Sequence, residues 1–235
     1  MISIVIPAFN EEKLLPGTLA ALRAAISGME AEIIVVDNES TDSTPKIATD
    51  AGARVISESV HNIGRVRNIG ANATNGDIIV FLDADTIVRE GVFEQIAIAM
   101  SDEKCFGGSV AVEYVPSLRW TMRMYLGICQ MIGRAMDWHQ GAMQFCRADS
   151  FRELNGYDET IYVGEDIEFQ WRLSRLARRS GGRITYIEAP AVQTSSRRFV
   201  RYGLLKTMVI THPIFILSVW RRPSPWKEWY EDALR

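Results

Sequence analysis

Short apolar runs that end on polar side chains set the rhythm of the first hundred residues. Ile2 to Ile6 stops at Pro7, Ile33 to Val36 stops at Asp37, and Ile78 to Leu82 stops at Asp83 and Asp85. These runs are β-branched and do not alternate with polar residues, the pattern of strands buried on both faces. "ARVIS" at 53–57 reads as a further strand. Between the runs the period lengthens. Leu14, Leu15, Leu19, Leu22 and Ile26 recur at helical spacing over 11–26, and "RVRNIGANA" reads as the next helix. Thr44-Pro45 predicts a helix start, with threonine as the cap and proline at the first helical position, and Gly52 predicts its end. Strands alternating with helices predict βαβ units: an α/β fold with a mainly parallel central sheet flanked by helices.

After Asp85 the rhythm loosens. Residues 105–114 and 142–147 read as strands, and 117–139 as a helix rich in Met, Trp and Arg. Its Trp120, Met122, Met124, Tyr125, Met131, Met136 and Trp138 are expected first to form a packing face and only second to touch a ligand. A last clear helix carries Phe169, Leu173, Leu176 and Ala177 on one face and ends at Gly181-Gly182. Without repeats, low-complexity tracts or a linker, the chain reads as one domain over 1–235.

Composition changes this picture little, but charge distribution does. The 235 residues carry a net charge of -3, so nothing draws the whole molecule to nucleic acid. Residues 172–235, however, hold 13 Lys and Arg against 4 Asp and Glu, leaving an acidic body and a basic tail. Cys105, Cys129 and Cys146 are widely spaced and form no CxxC or Cys/His pattern, which predicts reduced thiols in a cytoplasmic protein. No secretory signal opens the sequence, and the longest apolar stretch, Met208 to Trp220, is too short to span a bilayer and is broken at His212-Pro213. That stretch, with Arg201, Lys206, Arg221, Arg222, Trp220, Trp226 and Trp229, suits the surface of an anionic membrane at its inner face. His61, His139 and His212 show no ligand spacing and read as packed or surface residues.

The chemistry gathers where open α/β sheets bind ligands, at the carboxyl ends of parallel strands. Pro7-Ala8-Phe9-Asn10-Glu11, Asp37-Asn38 and Asp83-Ala84-Asp85 all stand at such ends, and Glu165-Asp166 opens a helix. The loop after the first strand, "PAFNEE", lacks the glycines of a dinucleotide site and carries two acids that would repel phosphate. A phosphate-bearing ligand here needs an intervening positive group. Carboxylates suit Mn2+ or Mg2+, which can bridge Asp85 to a diphosphate.

"SIVIPAFNEE", "IIVVDNESTDST", "RVRNIGANATNGDIIVFLDADT" and "LNGYDETIYVGEDIEFQWRL" together resemble the successive motifs of family 2 glycosyltransferases, which have the GT-A fold. The resemblance covers residues 2 to about 179. It implies a nucleotide-binding half at 1–100, an acceptor and base half at 101–200, and a basic, apolar extension at 201–235. It also implies that Asp37 and the loop Pro7, Ala8, Asn10 and Glu11 take the base of a nucleotide-diphosphate sugar, with Arg67 near the nucleotide. Asp83 and Ala84 would border the ribose, Asp85 (with Asp83 beside it) would hold the metal, and Asp166, next to Glu165, would be the general base of an inverting transfer. The acceptor is not named by the motifs, though a lipid-linked one would suit the C-terminal segment. Two departures stand out. Where the family often has a metal-binding histidine, in the strand after the base helix, this chain reads "AVQTSSRRF", with Gln193, Thr194 and Ser195 in its place. Arg197 and Arg198 are candidates for the diphosphate. The QxxRW signature of processive members is absent, favouring single transfers. Two alternatives stay open: a phosphatase of the haloacid dehalogenase type, since "IVFLDADT" fits its DxDxT signature with Asp83 as nucleophile, and a nucleotide-sugar-binding relative without turnover.

Overall fold

In the computed structural model, which describes residues 1–136, 141–210 and 221, all seven residues of strand β1 (Ile2–Ala8) are buried. They have strands on both edges and helices on both faces. β1 lies between β2 (Ala31–Asp37) and β4 (Ile78–Leu82), parallel to each, and β3 (Arg54–Ser57) extends the sheet beyond β2, again in parallel. The helices connecting them are α1 (Leu15–Ala25), α2 (Thr44–Asp50) and α3 (Ile63–Asn72). Side chains then divide by parity. Ile4, Ile6, Val35, Val80 and Leu82 pack with Leu15, Leu19 and Leu22 of α1 on one face. Val5, Ile34, Val36, Ile79 and Phe81 pack with Val66 of α3 on the other.

Helix α3 lies unusually close to the sheet. A Cβ at Gly70 would stand 2.3 Å from Val5 Cγ1, so only glycine allows the approach. Asn62 caps this helix by accepting a hydrogen bond from Arg65 N at 2.9 Å. Thr44 is not the cap expected of it: Ser43 holds that position in α2, and the Thr44 hydroxyl instead accepts from Glu11 N at 2.7 Å.

Beyond β4 the sheet changes character. A two-residue strand β5 (Thr86–Ile87) and helix α4 (Val92–Ser101) lead into the long β6 (Cys105–Val115), followed by α5 (Trp120–Met136), β7 (Met143–Arg147), α6 (Ala148–Glu153), α7 (Glu165–Arg179), β8 (Arg183–Ser195) and α8 (Arg197–Ile210), which kinks at the non-helical Gly203. The eight strands run in the order β3-β2-β1-β4-β7-β6-β8-β5. β7 is antiparallel to both β4 and β6, β8 is parallel to β6, and β5 is antiparallel to β8. The parallel character expected throughout therefore belongs to the first half, and the second half is mixed.

Helix α5 meets the expectation of a packing face only in part. Met122 and Leu126, with Leu118 just before the helix, form a buried row packed against Tyr114, Tyr125, Phe199 and Leu204. Trp120, Met124, Ile128, Met131 and Ile132 point outward. Trp138, His139, His212, Trp220, Arg222, Trp226 and Trp229, which the sequence made candidates for packing or membrane contact, lie outside the described residues. Among the described residues no helix is long and apolar enough to cross a membrane.

Candidate functional site

The parallel strands end at one edge, and their loops are laced together there. Asn10, at the tip of β1 in a left-handed conformation, donates its N–H to Ser40 Oγ at 2.9 Å and accepts from Thr41 N at 2.7 Å. Asn38, after β2, donates to Glu58 O at 2.6 Å and Val60 O at 3.0 Å. These bonds form a rigid floor under Asp37. Asp37 is itself buried: its Oδ2 accepts a long bond from Ser40 N at 3.4 Å, while its Oδ1 has no partner. A buried acceptor without a donor is costly, of order 1–3 kcal/mol, which marks it as a place for a ligand N–H or O–H. The rings of Phe9, after β1, and His61, before α3, meet at a tilt of 54° with their centres 4.8 Å apart.

The two acid clusters meet through one arginine. Arg67 on α3 is buried, and its guanidinium bonds Asp83 Oδ1 at 3.1 Å with one nitrogen and Glu165 Oε1 at 2.6 Å with another. Its position follows from its helix: Gly70 brings α3 against β1, and the Arg67 guanidinium lies 5.4 Å from the centre of the Tyr157 ring. The neighbouring Asn68 fixes the same junction by donating to Tyr157 O at 3.0 Å and accepting from Tyr157 N at 2.8 Å. Burial pushes Glu165 up to about 7 and Asp83 up to about 6, against the pull of Arg67. Asp83 still keeps 38% of its side chain exposed, within reach of a ligand.

Asp85 is held by hydroxyls and a cation. Thr194, on β8, donates to Asp85 Oδ1 at 3.1 Å and accepts from Thr86 at 3.0 Å. Of the three residues that stand where a histidine was sought, Thr194 is therefore the one bonded to Asp85. Ser195 accepts instead from Arg197 N at 3.3 Å. At the start of α8, one Arg197 nitrogen bonds Glu11 Oε1 and lies 3.4 Å from Asp85 Oδ2. Glu11 is buried, its Oε2 has no partner, and burial raises it to about 7 despite Arg197. Arg198 lies near enough to Asp83 to pull its carboxyl down.

Asp166 stands in the first turn of α7, where Gly164 takes the left-handed cap conformation and acids complement the helix dipole. Its Oδ1 accepts from Ile167 N at 2.8 Å and its Oδ2 from Gly141 N at 3.2 Å, while Gln144 donates to its main-chain oxygen at 3.2 Å. Gln144 in turn accepts from the Tyr157 hydroxyl at 3.1 Å. Asn68, Tyr157, Gln144 and Gly141 carried no expected role. The first two lie within motifs quoted above, which is the signal that could have found them. Pro7 and Ala8 contribute backbone at the end of β1, and Ala84 is buried behind the two aspartates, where its carbonyl accepts from Thr18 at 2.8 Å.

With the geometry in view, the chain can be set beside known proteins. The model of glycosyl transferase family 2 matches residues 3–154. The chain belongs to that family. Among curated relatives, it is 41% identical over 91 residues to 4,4'-diaponeurosporenoate glycosyltransferase of Staphylococcus haemolyticus, covering 36% of this chain and 24% of that one. It is 35% identical over 100 residues to glucosyl-3-phosphoglycerate synthase of Mycolicibacterium smegmatis, covering 39% of this chain and 33% of the relative. The match thus spans a third or less of these relatives' own length. Its fold resembles S. aureus TarS 1-349 in complex with UDP-GlcNAc, with a TM-score of 0.66 at 17% identity over 88% of this chain and 60% of that one. It also resembles glucosyl-3-phosphoglycerate synthase from Mycobacterium tuberculosis in complex with phosphoglyceric acid, with a TM-score of 0.62 at 22% identity over 89% of this chain and 77% of that one. The fold is the GT-A fold of family 2. The family match includes Asp83, Asp85 and Thr86, which removes the ground for reading them as a phosphatase signature. It ends before Glu165, Asp166 and α8.

Proposed function

We propose that the protein transfers a sugar from a nucleotide-diphosphate sugar to an acceptor hydroxyl or phosphate, with inversion at the anomeric carbon. The observation that carries this reading is the Arg67 bridge from Asp83 to Glu165, at 3.1 and 2.6 Å. A single displacement needs one set of groups at the leaving diphosphate and another at the attacking oxygen, held in fixed relation. Arg67 supplies that relation from a buried, charge-satisfied position. The unpaired Asp37 Oδ1 suits an N–H of the nucleobase, and the laced loops at Asn10 and Asn38 keep it in place.

The donor set fits Mn2+ or Mg2+. Asp85 offers carboxylate oxygens at the strand tip, and Glu11 Oε2 is buried without a partner. An ion there would be held through one or two carboxylates, with water and substrate phosphate completing its shell. Bound there, the cation would neutralise the charge that builds on the departing diphosphate. Arg197 and Arg198 bring fixed positive charge to the same place, and Thr194 orients Asp85. On the nucleophile side Glu165 is engaged by Arg67, which leaves Asp166 to receive the proton of the acceptor as the new C–O bond forms. Backbone N–H groups hold both of its oxygens, so the carboxylate is aimed before the acceptor arrives.

UDP-sugars are the first donors to test: among related folds, TarS is known in complex with UDP-GlcNAc, and the M. tuberculosis synthase in complex with Mn2+, UDP-glucose and phosphoglyceric acid. Thermal unfolding with UDP, GDP, CDP or dTDP, with and without Mn2+, reads donor binding. A ligand at a hundredfold excess over its Kd stabilises the native state by about 2.7 kcal/mol. We expect one nucleotide to raise the midpoint only with Mn2+, and Asp85→Ala to abolish the rise. Asp166→Asn should keep the rise and lose transfer by about 10²–10⁴-fold. Unimpaired transfer by Asp166→Asn would remove it as the base, a nucleotide-dependent rise without transfer by the wild type would favour a binding relative without turnover, and no rise with any nucleotide would overturn the reading.

A further inference from the structure

Two packed helices, α5 and α8, turn apolar side chains to the outside. Trp120 is 70% exposed, Met124 59% and Met131 66% on α5, and Val200 is 67% and Leu205 81% on α8. On α5 the exposed Trp120, Met124 and Ile128 repeat every four residues, beside the buried Met122 and Leu126, which Leu118 just before the helix extends. The helix is thus apolar on two faces, and among the described residues only one of them is covered. A face of this kind on a water-soluble surface marks an interaction site.

The charges say what covers it. No aspartate or glutamate occurs in 117–136 or 196–210. The ionic groups there that border the exposed apolar residues are Arg119 and Arg123 on the α5 side and Arg201 and Lys206 on the α8 side, all exposed. Apolar residues that insert, set among cations with no acid in either of those two segments, in a chain of net charge -3, are the recognition chemistry of an anionic lipid surface. A second copy would place these arginines against each other. We propose that the α5–α8 face lies on an anionic membrane surface.

This placement shares Arg201 and Lys206 with the C-terminal contact expected from the sequence and adds the exposed apolar residues of α5 and α8 beside the candidate site. Phe199 of α8 packs edge-on against Tyr114 at 4.9 Å, and the Tyr114 hydroxyl is pushed above its ordinary value first by burial and then by the nearby charges of Asp166, Asp83 and Asp85, against the pull of Arg198. An acceptor with a hydrophobic tail in that surface would present its polar head near those acids. The docking itself does not depend on sugar transfer.

The test is sedimentation of the full chain with vesicles of phosphatidylcholine, and with vesicles of equal parts phosphatidylcholine and phosphatidylglycerol. We expect binding to the anionic vesicles to exceed binding to neutral ones by at least about tenfold, since each surface cation contributes roughly 1 kcal/mol, and to weaken with salt. The triple substitution Trp120→Ser, Met124→Ser and Leu205→Ser should abolish it without lowering the thermal midpoint. Should that variant not fold, Arg119→Glu with Arg123→Glu carries the same test. Three results overturn the proposal: protein left in the supernatant with both vesicle types, equal binding to both, or binding unchanged by the substitutions. A dimer that the same substitutions convert to monomer, with no vesicle binding, assigns the face to a second copy instead.

Discussion

The two halves of the molecule solve opposite problems. From β1 to β4 every strand that carries a candidate donor residue is covered on both faces, and the loops at its tip are bonded to one another through Asn10, Asn38 and Thr44. From β6 onward the sheet mixes directions, and α5 and α8 leave large apolar side chains in water. Burial on both faces fixes a strand tip to within the tolerance of the core, and that rigidity suits a ligand whose base and phosphates must be measured against each other. The second half instead offers surface. A variable acceptor, or a membrane that presents it, needs surface more than rigidity. Arg67 stands on the boundary, since Asp83 belongs to the first half and Glu165 to the second.

The largest expected effect therefore comes from cutting that bridge. In Arg67→Met the side-chain volume stays while the buried Glu165 and the half-buried Asp83 lose their counter-charge. Removing one partner of a buried ion pair costs about 3–5 kcal/mol. Urea unfolding should show a loss of that size, with transfer falling as well. A loss below about 1 kcal/mol would mean that packing alone aligns the two halves and that the arginine serves only the ligand.

How much of this could be read in advance divides along the same boundary. β1, β2 and β4 announce themselves as unbroken apolar runs because both of their faces are buried, and the acids after them fall at one edge because parallel strands must end together. Helix α4 was not legible because Ala97, Ile98 and Ala99 continue its apolar row around the cylinder, and Ile98 is 64% exposed, so the helical period is blurred. The first part of β8 was hidden by Pro190, which argues against an interior strand. Its register explains the exception: Val110 pairs with Ile187 and Val112 with Val192, so the proline sits in a bulge where the ladder needs no N–H. The site residues were named from motifs, but their bonding was not. Nothing in "RN" tells that Arg67 takes two acids while Asn68 takes the backbone of Tyr157.

Thr194→Val sharpens the comparison at the other crossing point, where β8 reaches back to the tip of β4. The hydroxyl donates to Asp85 and accepts from Thr86, and valine keeps the shape while losing both bonds. Groups that orient a metal ligand affect metal affinity by about 10–100-fold. Titration of Mn2+ against the nucleotide-induced thermal shift should move by that factor, with a stability loss of about 1–2 kcal/mol. An unchanged Mn2+ requirement would show that Asp85 is aimed by its own strand.

The smallest effect should arise inside the first half, and it asks whether the donor floor is independent of the rest. Glu58 accepts from Val60 N at 2.7 Å and lies 3.0 Å from Arg65, while its main chain ties β3 to Asp37 and Asn38. The bond from Val60 N comes first among the causes, with Arg65 also contributing, that hold the carboxyl below its ordinary value of 4.5 against some desolvation. The other charged group at this contact is Glu159, 3.5 Å from Arg65 on the far side. A carboxyl depressed in the folded state contributes stability fully above its unfolded pKa, and the contribution disappears as pH falls through the folded value. Glu58→Gln should therefore be less stable than the wild type by about 1 kcal/mol near neutral pH, and the difference should close below the ordinary carboxylate range. Because Glu58 braces only the floor beneath Asp37, the substitution should weaken nucleotide binding slightly and leave vesicle sedimentation unchanged. A parallel loss of both would mean that the floor and the α5–α8 face move as one body, and the division between a rigid donor half and an independent surface would have to be given up.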